Sequence, residues 1–138
     1  MSYDYNKNKQ YHKYYDDDKK GHWSIIIYED QGIIKLIESS FDGNIRIWNF
    51  HSELLLSKIN VNSGKLYGIC LLNENILFVG CKDYNIKIIN LQNNTILKNL
   101  NKHNREVIVI KTINHSKFSS HLVSQGRGND QIKLWKIQ

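Results

Sequence analysis

Phe41-Asp42-Gly43-Asn44-Ile45-Arg46-Ile47-Trp48 is the stretch that decides the fold. Its first half predicts a tight turn, because Asp and Asn tolerate left-handed backbone and Gly adopts a positive φ at no steric cost. Its second half alternates, which places Ile45 and Ile47 on one face and Arg46 and Trp48 on the other. Such a run predicts a β-strand that leaves a hairpin turn.

The same pattern occurs twice more, at residues 83–89 and 129–135. Each copy has an acidic turn, an alternating strand and a large apolar residue at the end of the strand. These terminal residues are Trp48, Ile89 and Trp135, and they are separated by 41 and 46 residues. A period of about 40–45 residues is typical of the four-stranded blades of β-propellers.

Short β-branched runs separated by polar turns fill each period. The predicted strands are 23–28, 33–39, 45–49 and 54–59, then 66–71, 76–81, 85–89 and 95–100, and finally 107–113, 122–125 and 132–136, with a polar loop at 114–120. Helical spacing is not sustained anywhere. We therefore predict an all-β fold, a partial β-propeller of about three four-stranded antiparallel blades of which the last is incomplete.

The chain divides at residue 20 by composition. Residues 1–20 are rich in Tyr, Asn, Lys and Asp and have no apolar periodicity, which predicts a polar, disordered N-terminal tail. An outer strand at Tyr11–Tyr15 is the alternative for part of it. Residues 21–138 form the blade segment.

Charge and cysteine content limit the classes of function. The net charge is +6 and the pI is about 9.3, but the lysines and arginines are scattered along the sequence without a run of five. Protein partners are therefore expected, with RNA or DNA binding as the alternative function. Cys70 and Cys81 predict reduced, buried thiols, and no secretory or membrane-spanning segment is recognisable in the sequence. We expect an intracellular protein, cytoplasmic or nuclear, without a membrane partner.

Catalytic motifs are not recognisable in the sequence. Cys70 lies in an apolar strand rather than beside a base, and the scattered cysteines and histidines lack zinc-ligand spacing. Asn62-Ser63-Gly64-Lys65 lacks the leading glycine and the following Ser or Thr of a phosphate loop, so it predicts a turn. No catalytic residue, metal or cofactor is expected.

Gly21-His22, Phe41–Trp48 and Ile132–Trp135 resemble the WD-repeat family of β-propellers, and the similarity covers residues 21–138. In that family a His before the first strand, a Ser or Thr in the second strand, an Asp in the next turn and a Trp ending the third strand form a hydrogen-bonded chain. The resemblance implies this structural role for His22, Asp42, Trp48, Asp83, His103, Ser124 and Trp135. Each buried polar group of such a chain would satisfy another.

Several positions depart from the family pattern. Glu38 and Val79 stand where a hydroxyl residue is expected, Asn62 replaces the His of the second unit, and Ile89 replaces its Trp. In the third unit an extra residue leaves open whether Asn129 or Asp130 takes the acidic place.

The resemblance implies a non-catalytic scaffold for protein–protein interaction. The family's usual partner-binding positions correspond to Phe41, Lys82, Ile25, Ile27, Lys65, Tyr67, Glu106 and Ile108. Of these we expect Phe41, Lys65, Tyr67 and Lys82 to bind a partner, because exposed aromatic rings among lysines suit an acidic, partly apolar peptide. The alternative is that Phe41 and Tyr67 are buried between blades.

Three blades are too few to close a ring, since propellers have about four to eight. Three arrangements follow: part of a larger propeller or complex, ring closure by self-association or with another propeller, or an open stack. We expect the first.

Overall fold

The computed structural model describes residues 13–16, 21–113 and 121–137. Within these ranges the chain forms β-strands and no helix. The strands are β1 (His22–Asp30), β2 (Ile33–Ser40), β3 (Asn44–Asn49), β4 (Leu55–Asn60), β5 (Leu66–Asn73), β6 (Ile76–Cys81), β7 (Ile86–Asn90), β8 (Thr95–Leu100), β9 (Val107–Thr112), β10 (His121–Gly126) and β11 (Ile132–Lys136). They confirm the all-β prediction, and the polar loop expected at 114–120 lies outside the described residues.

Three antiparallel sheets contain these strands. The first blade is β1-β2-β3-β4, the second is β5-β6-β7-β8, and the third is β9-β10-β11, each in chain order. The inner strands β1, β5 and β9 contact one another in sequence. The described part of the chain is therefore a stack of two four-stranded blades and one three-stranded blade.

Equivalent turns join the middle strands of the first two blades. The Asp42 carboxylate accepts a hydrogen bond from the Asn44 amide at 3.0 Å, and Asp83 accepts one from the Asn85 amide at 3.1 Å. The residues between them, Gly43 and Tyr84, have φ of 87° and 72°. This left-handed backbone suits Gly and strains Tyr. The acidic side chain therefore stabilises the turn even where the glycine is missing.

The second and third strands pair in the same register in all three blades. The large apolar residue at the end of each third strand pairs with a leucine of the second strand. The pairs are Leu36–Trp48, Leu77–Ile89 and Leu122–Trp135. A β-bulge follows at the same place in the first two blades, after Ile47 and after Ile88. The three terminal residues therefore occupy equivalent places, as the repeat predicts.

Two apolar clusters hold the stack together. The cluster between the first and second blades includes Ile45, Ile47, Ile69 and Ile89, and the cluster between the second and third includes Phe78 and Ile86 among others. The second blade thus buries one face against the first blade and the other against the third.

Glycines permit this close approach of backbones. A Cβ on Gly68 would lie 2.7 Å from the carbonyl oxygen of Ile108, and a Cβ on Gly80 would overlap the backbone of Val107. β5 and β6 can therefore pack directly on the backbone of β9.

The N-terminal segment is only partly described, and residues 1–12 and 17–20 lie outside the described residues. Residues 13–16 form no strand but contact the first blade. The Tyr14 hydroxyl donates a hydrogen bond to the Phe50 carbonyl at 2.6 Å, and the Lys13 amide donates one to Glu53 at 2.9 Å. Aromatic and polar contacts hold these four residues on the blade, and the disordered tail expected for residues 1–20 stays a prediction.

Candidate interaction surface

An aromatic cluster lies where the first two blades meet. The Trp23 ring lies 5.2 Å from Tyr67 and 6.1 Å from Phe41, and Phe41 lies 5.9 Å from Tyr67. The Lys65 ammonium sits over the Phe41 ring at 5.0 Å from its centroid. The start of β1, the β2–β3 turn and the start of β5 bring these four side chains together.

Exposure differs strongly within this cluster. Trp23 is 49% exposed, Phe41 is half-buried and Tyr67 is only 6% exposed. The Tyr67 carbonyl also accepts a hydrogen bond from the Ser39 hydroxyl at 2.5 Å. The structure therefore places Tyr67 as a buried support beneath Trp23 and Phe41. Our sequence prediction missed Trp23, although an aromatic residue directly after Gly21-His22 was a signal for it.

Lys82 extends the cluster along the same edge. Its amide donates a hydrogen bond to the Lys65 carbonyl at 2.9 Å, and its stem lies against Gly64. An open recess of about 520 Å³ beside it is lined by Asn62, Ser63, Gly64, Lys82, Asp83 and Tyr84. Three of the four predicted partner-binding residues, Phe41, Lys65 and Lys82, thus reach the surface close together.

The fold gathers positive charge at this edge, which we call the basic edge. It consists of the β2–β3, β6–β7 and β10–β11 turns and the loops before β5 and β9. Its exposed cations are Lys65, Lys82, Lys102, Arg105 and Arg127. At the opposite edge the described turns at 29–32, 50–54, 73–75 and 91–94 contain Glu29, Asp30, Glu53 and Glu74 and no lysine or arginine. The same turns and loops also carry Asp42, Asp83, Glu106 and Asp130, with Arg127 4.0 Å from Glu106, so the basic edge is mixed in charge while the described turns of the opposite edge are acidic.

A buried hydrogen-bonded chain crosses the third blade. The Trp135 indole N–H donates to the Ser124 hydroxyl oxygen at 2.7 Å, and that hydroxyl lies 2.6 Å from His103 Nε2. His103 Nδ1 lies 2.8 Å from the Asp130 carboxylate. Because an indole only donates and a carboxylate only accepts, the Ser124 oxygen accepts from Trp135 and the His103 Nδ1–H donates to Asp130.

Asp130 resolves the choice that the sequence left open. The hydrogen bond from His103 holds the pKa of this carboxyl below its ordinary value, against the opposing effect of burial. The amides of Gln131 and Asn104 donate to it as well, at 2.9 and 3.3 Å. Asn129 is exposed in the turn, so the extra residue moves the acidic place by one position.

The first blade does not form the equivalent chain. His22 is exposed at the start of β1, and the Asp42 carboxylate instead binds Arg46 at 2.5 Å. Arg46 is fully buried and also binds Asp16 at 2.7 Å. Trp48 is 1% exposed and its ring meets Tyr14 edge-on at 5.8 Å. The expected grouping of His22, Asp42 and Trp48 is therefore corrected, because His22 takes the register place of Val107, not of His103, and the Asp42 carboxylate binds Arg46.

The Asp42 carboxyl remains ionised in this setting. Burial disfavours its charge, but hydrogen bonds from Arg46 and from the Asn44 amide outweigh that effect and lower its pKa. An arginine is always charged and binds a carboxylate with two donors, which suits a partly buried pair.

The second blade has an apolar interior at the corresponding places. Val79 and Ile89 are fully buried, while Asp83 is exposed and lies 4.0 Å from Lys87. Asp83 therefore stabilises its turn and does not enter a buried chain.

The two cysteines and the possible metal ligands were the candidates for reactive chemistry among the described residues. Burial raises the pKa of the Cys70 and Cys81 thiols to about 12, and a thiol rather than a thiolate is a poor nucleophile. The described part of the chain contains no group of three or more His, Cys, Asp and Glu side chains placed to hold a metal. Nor does it contain a helix that could cross a membrane.

Comparison with solved structures identifies the architecture. The chain is similar to the structure of U3-55K (TM-score 0.64, 19% identity, 75% of this chain and 31% of that chain). It is equally similar to the RRP9 WD40 repeats (TM-score 0.64, 19% identity, 75% and 30%). The fold is that of a partial WD-repeat β-propeller. A computationally designed protein, Ika4, has a similar structure as well (TM-score 0.63, 18% identity, 81% and 64%).

Sequence comparison reaches only part of the chain. The U3 small nucleolar RNA-associated protein 21 homolog of Schizosaccharomyces pombe (strain 972 / ATCC 24843) is 26% identical over 72 residues, which is 52% of this chain. The chain matches about 8% of that relative's length. No family model matches the sequence.

Proposed function

We propose that this partial propeller is a non-catalytic scaffold whose basic edge binds an acidic protein segment that carries an apolar side chain. The observation that carries the proposal is the half-exposed Trp23 ring, supported by Phe41 and Tyr67 and adjoined by Lys65. Aromatic residues often contribute most of the binding energy of an interface. Here their rings are packed against one another in the free protein, which lowers the entropic cost of binding.

The charges around the rings define the partner. Lys82 lies next to Lys65, and further cations continue along the basic edge to the third blade. Such a field raises the association rate of an acidic segment, while burial of an apolar side chain against Trp23 slows its release. The scaffold would act as one part of a larger propeller or complex.

RNA binding is a second candidate because of two observations. Cations and an exposed aromatic ring on one surface also suit single-stranded RNA, whose bases stack on aromatic side chains. The printed name of the Schizosaccharomyces pombe relative associates that protein with a small nucleolar RNA. The same name is the support for proposing a nuclear location for this chain.

Fluorescence anisotropy with two labelled probes separates the two candidates. One probe is a peptide of Glu and Asp residues with a single central Phe, and the other is an oligouridylate of equal net charge. The scaffold predicts tighter binding of the peptide and a shallow dependence on salt. RNA binding predicts tighter binding of the oligouridylate, with an affinity that falls with salt at a slope of about −0.7 per phosphate neutralised.

Variants test the surface itself. Trp23→Ala is expected to weaken peptide binding about tenfold or more, and Lys82→Ala by about two- to fivefold. Tyr15→Ala and Lys98→Ala remove an exposed aromatic ring and an exposed cation away from the basic edge and serve as matched controls. Equal losses in the controls, or binding of neither probe by the wild type, would contradict the proposed surface.

A further inference from the structure

The open face of the third blade has the composition of a buried interface. Ile132 is 69% exposed, yet its equivalents by register, Ile45 in the first blade and Ile86 in the second, are fully buried against the next blade. Leu134 is likewise exposed, whereas its equivalent Ile47 is buried. The third blade therefore presents an apolar face of the kind that elsewhere packs on a following blade.

The first blade presents the complementary face. Ile25 is 52% exposed, while its equivalents Ile69 and Ile110 are buried against the preceding blade. Ile27 is exposed beside Ile25. One chain thus carries both halves of a blade-to-blade contact, one at each end of the stack.

Residues 13–16 cover only the outer part of the first blade's open face. Asp16 binds Arg46 of β3 and Lys58 of β4, and Tyr14 packs on Trp48 at the end of β3. None of the residues 13–16 contacts the inner strand at Ile25 or Ile27, and both side chains are exposed. The third blade has three strands among the described residues, and β11 is its edge. A three-stranded blade would therefore fit on the inner part of the first blade's open face. Residues 13–16 would then lie beside β11, where a fourth strand would otherwise be.

Charge agrees with this fit. Lys111 lies on the open face of the third blade, on the row of Val123 and Leu134, and is the penultimate residue of inner strand β9. Glu29 lies on the open face of the first blade and is the penultimate residue of inner strand β1. Both are exposed. In a stack that continues with the same orientation, both charges lie toward the same end of the inner strands, with Lys111 equivalent by register to Ile26, three residues before Glu29.

We propose that the occupant of both faces is a second copy of this chain, arranged head to tail. The third blade of each copy packs on the first blade of the other, with residues 13–16 beside β11. Two such contacts close a ring of six blades, within the range of about four to eight that propellers adopt. This assembly is independent of the proposed partner at the basic edge and can fail or hold without it.

The mass of the whole chain in solution gives the first test. Sedimentation equilibrium over a dilution series is expected to show a reversible dimer of twice 16.3 kDa. A chain that stays monomeric at every concentration, or that forms open-ended polymers, would overturn the closed head-to-tail pair.

Charged substitutions at the two faces give the second test. Ile132→Glu and Ile25→Lys are each expected to weaken the dimer about 100-fold, because each places an uncompensated charge in both contacts. Leu97→Glu, an equally exposed position on β8, is the matched control and should leave the dimer unchanged. Circular dichroism checks that all three variants keep their strands, as expected for exposed sites.

Mixing the two variants makes the test specific for the head-to-tail arrangement. A mixture of Ile132→Glu and Ile25→Lys chains should form a heterodimer close to wild-type strength. In that heterodimer one contact is unaltered and the other pairs the two new charges. In a symmetric dimer through β11 alone, Ile25→Lys would leave the strength of the dimer unchanged. A dimer whose strength is changed by neither variant would use another surface. Either result would overturn the proposal.

Discussion

The first and third blades each carry a histidine near the first strand and a tryptophan at the end of the third strand, yet only the third blade connects them. His103 lies four residues before Val107, the residue that pairs with Gly126, whereas His22 is itself the residue that pairs with Ser40. In the third blade Ser124 lies between Trp135 and His103 and binds both. In the first blade the corresponding position holds Glu38, and the buried cation Arg46 takes the acidic partner. Two differences accompany the missing chain: the first blade lacks the hydroxyl residue, and its histidine lies at another register position. A hydroxyl can both accept and donate a hydrogen bond and so can lie between an indole and an imidazole, whereas an ionised carboxylate in that place only accepts.

The largest expected contrast comes from the two histidines. His103→Ala should lower the free energy of unfolding by about 3 kcal/mol, because it leaves the Asp130 carboxylate and the Ser124 hydroxyl without their partner in a buried site. His22→Ala should change it by less than about 0.5 kcal/mol, as for an ordinary surface substitution. Urea unfolding followed by circular dichroism measures both. Similar losses in the two variants would show that the first blade depends on its histidine as well.

Much of the fold could be predicted because its signals are local. The turn at Asp42-Gly43-Asn44 and the alternation that follows determine one hairpin, and the 41-residue spacing to Ile89 carries the same register into the second blade. Turn chemistry and a period of two suffice for such a prediction, since a one-residue slip would expose every buried side chain.

The polar sites could not be predicted in the same way. The extra residue before Asp130 places it, and not Asn129, beside His103, and residue counting alone does not reveal this. Asp16 reaches Arg46 from a segment with no apolar pattern. The basic edge likewise depends on which turns share an edge of the stack. These features arise from contacts between distant parts of the sequence.

A double-mutant cycle sharpens the role of the hydroxyl. Ser124→Ala should cost about 2 kcal/mol, because it leaves the Trp135 indole N–H and His103 Nε2 without their partner. Trp135→Phe removes the indole donor, so the two substitutions together should cost about 1 kcal/mol less than their sum. Ile37→Val, in the core between the first two blades, is the control for Ser124→Ala. That pair should be additive within about 0.5 kcal/mol. Additivity of Ser124→Ala with Trp135→Phe would contradict the bridge.

Acid should lower the stability of the first and third blades through two different carboxylates. Per residue, this is the smallest of the expected effects. The pKa of Asp130 is lowered by His103, and that of Asp42 is lowered by Arg46 and the Asn44 amide in spite of burial. A carboxyl whose pKa is lowered in the folded state stabilises the protein fully above its unfolded pKa, near 3.8. This stabilisation is lost as the pH falls through the lower folded value. Thermal unfolding between about pH 7 and pH 2 should therefore show a steep fall of Tm below about pH 4.

Asp130→Asn and Asp42→Asn should each lower Tm at neutral pH and make the fall of Tm in acid shallower. Glu74→Gln, in the exposed β5–β6 turn, is the control. If Asp130→Asn made the fall of Tm in acid shallower and Asp42→Asn did not, the Asp42–Arg46 pair would not contribute to the acid sensitivity.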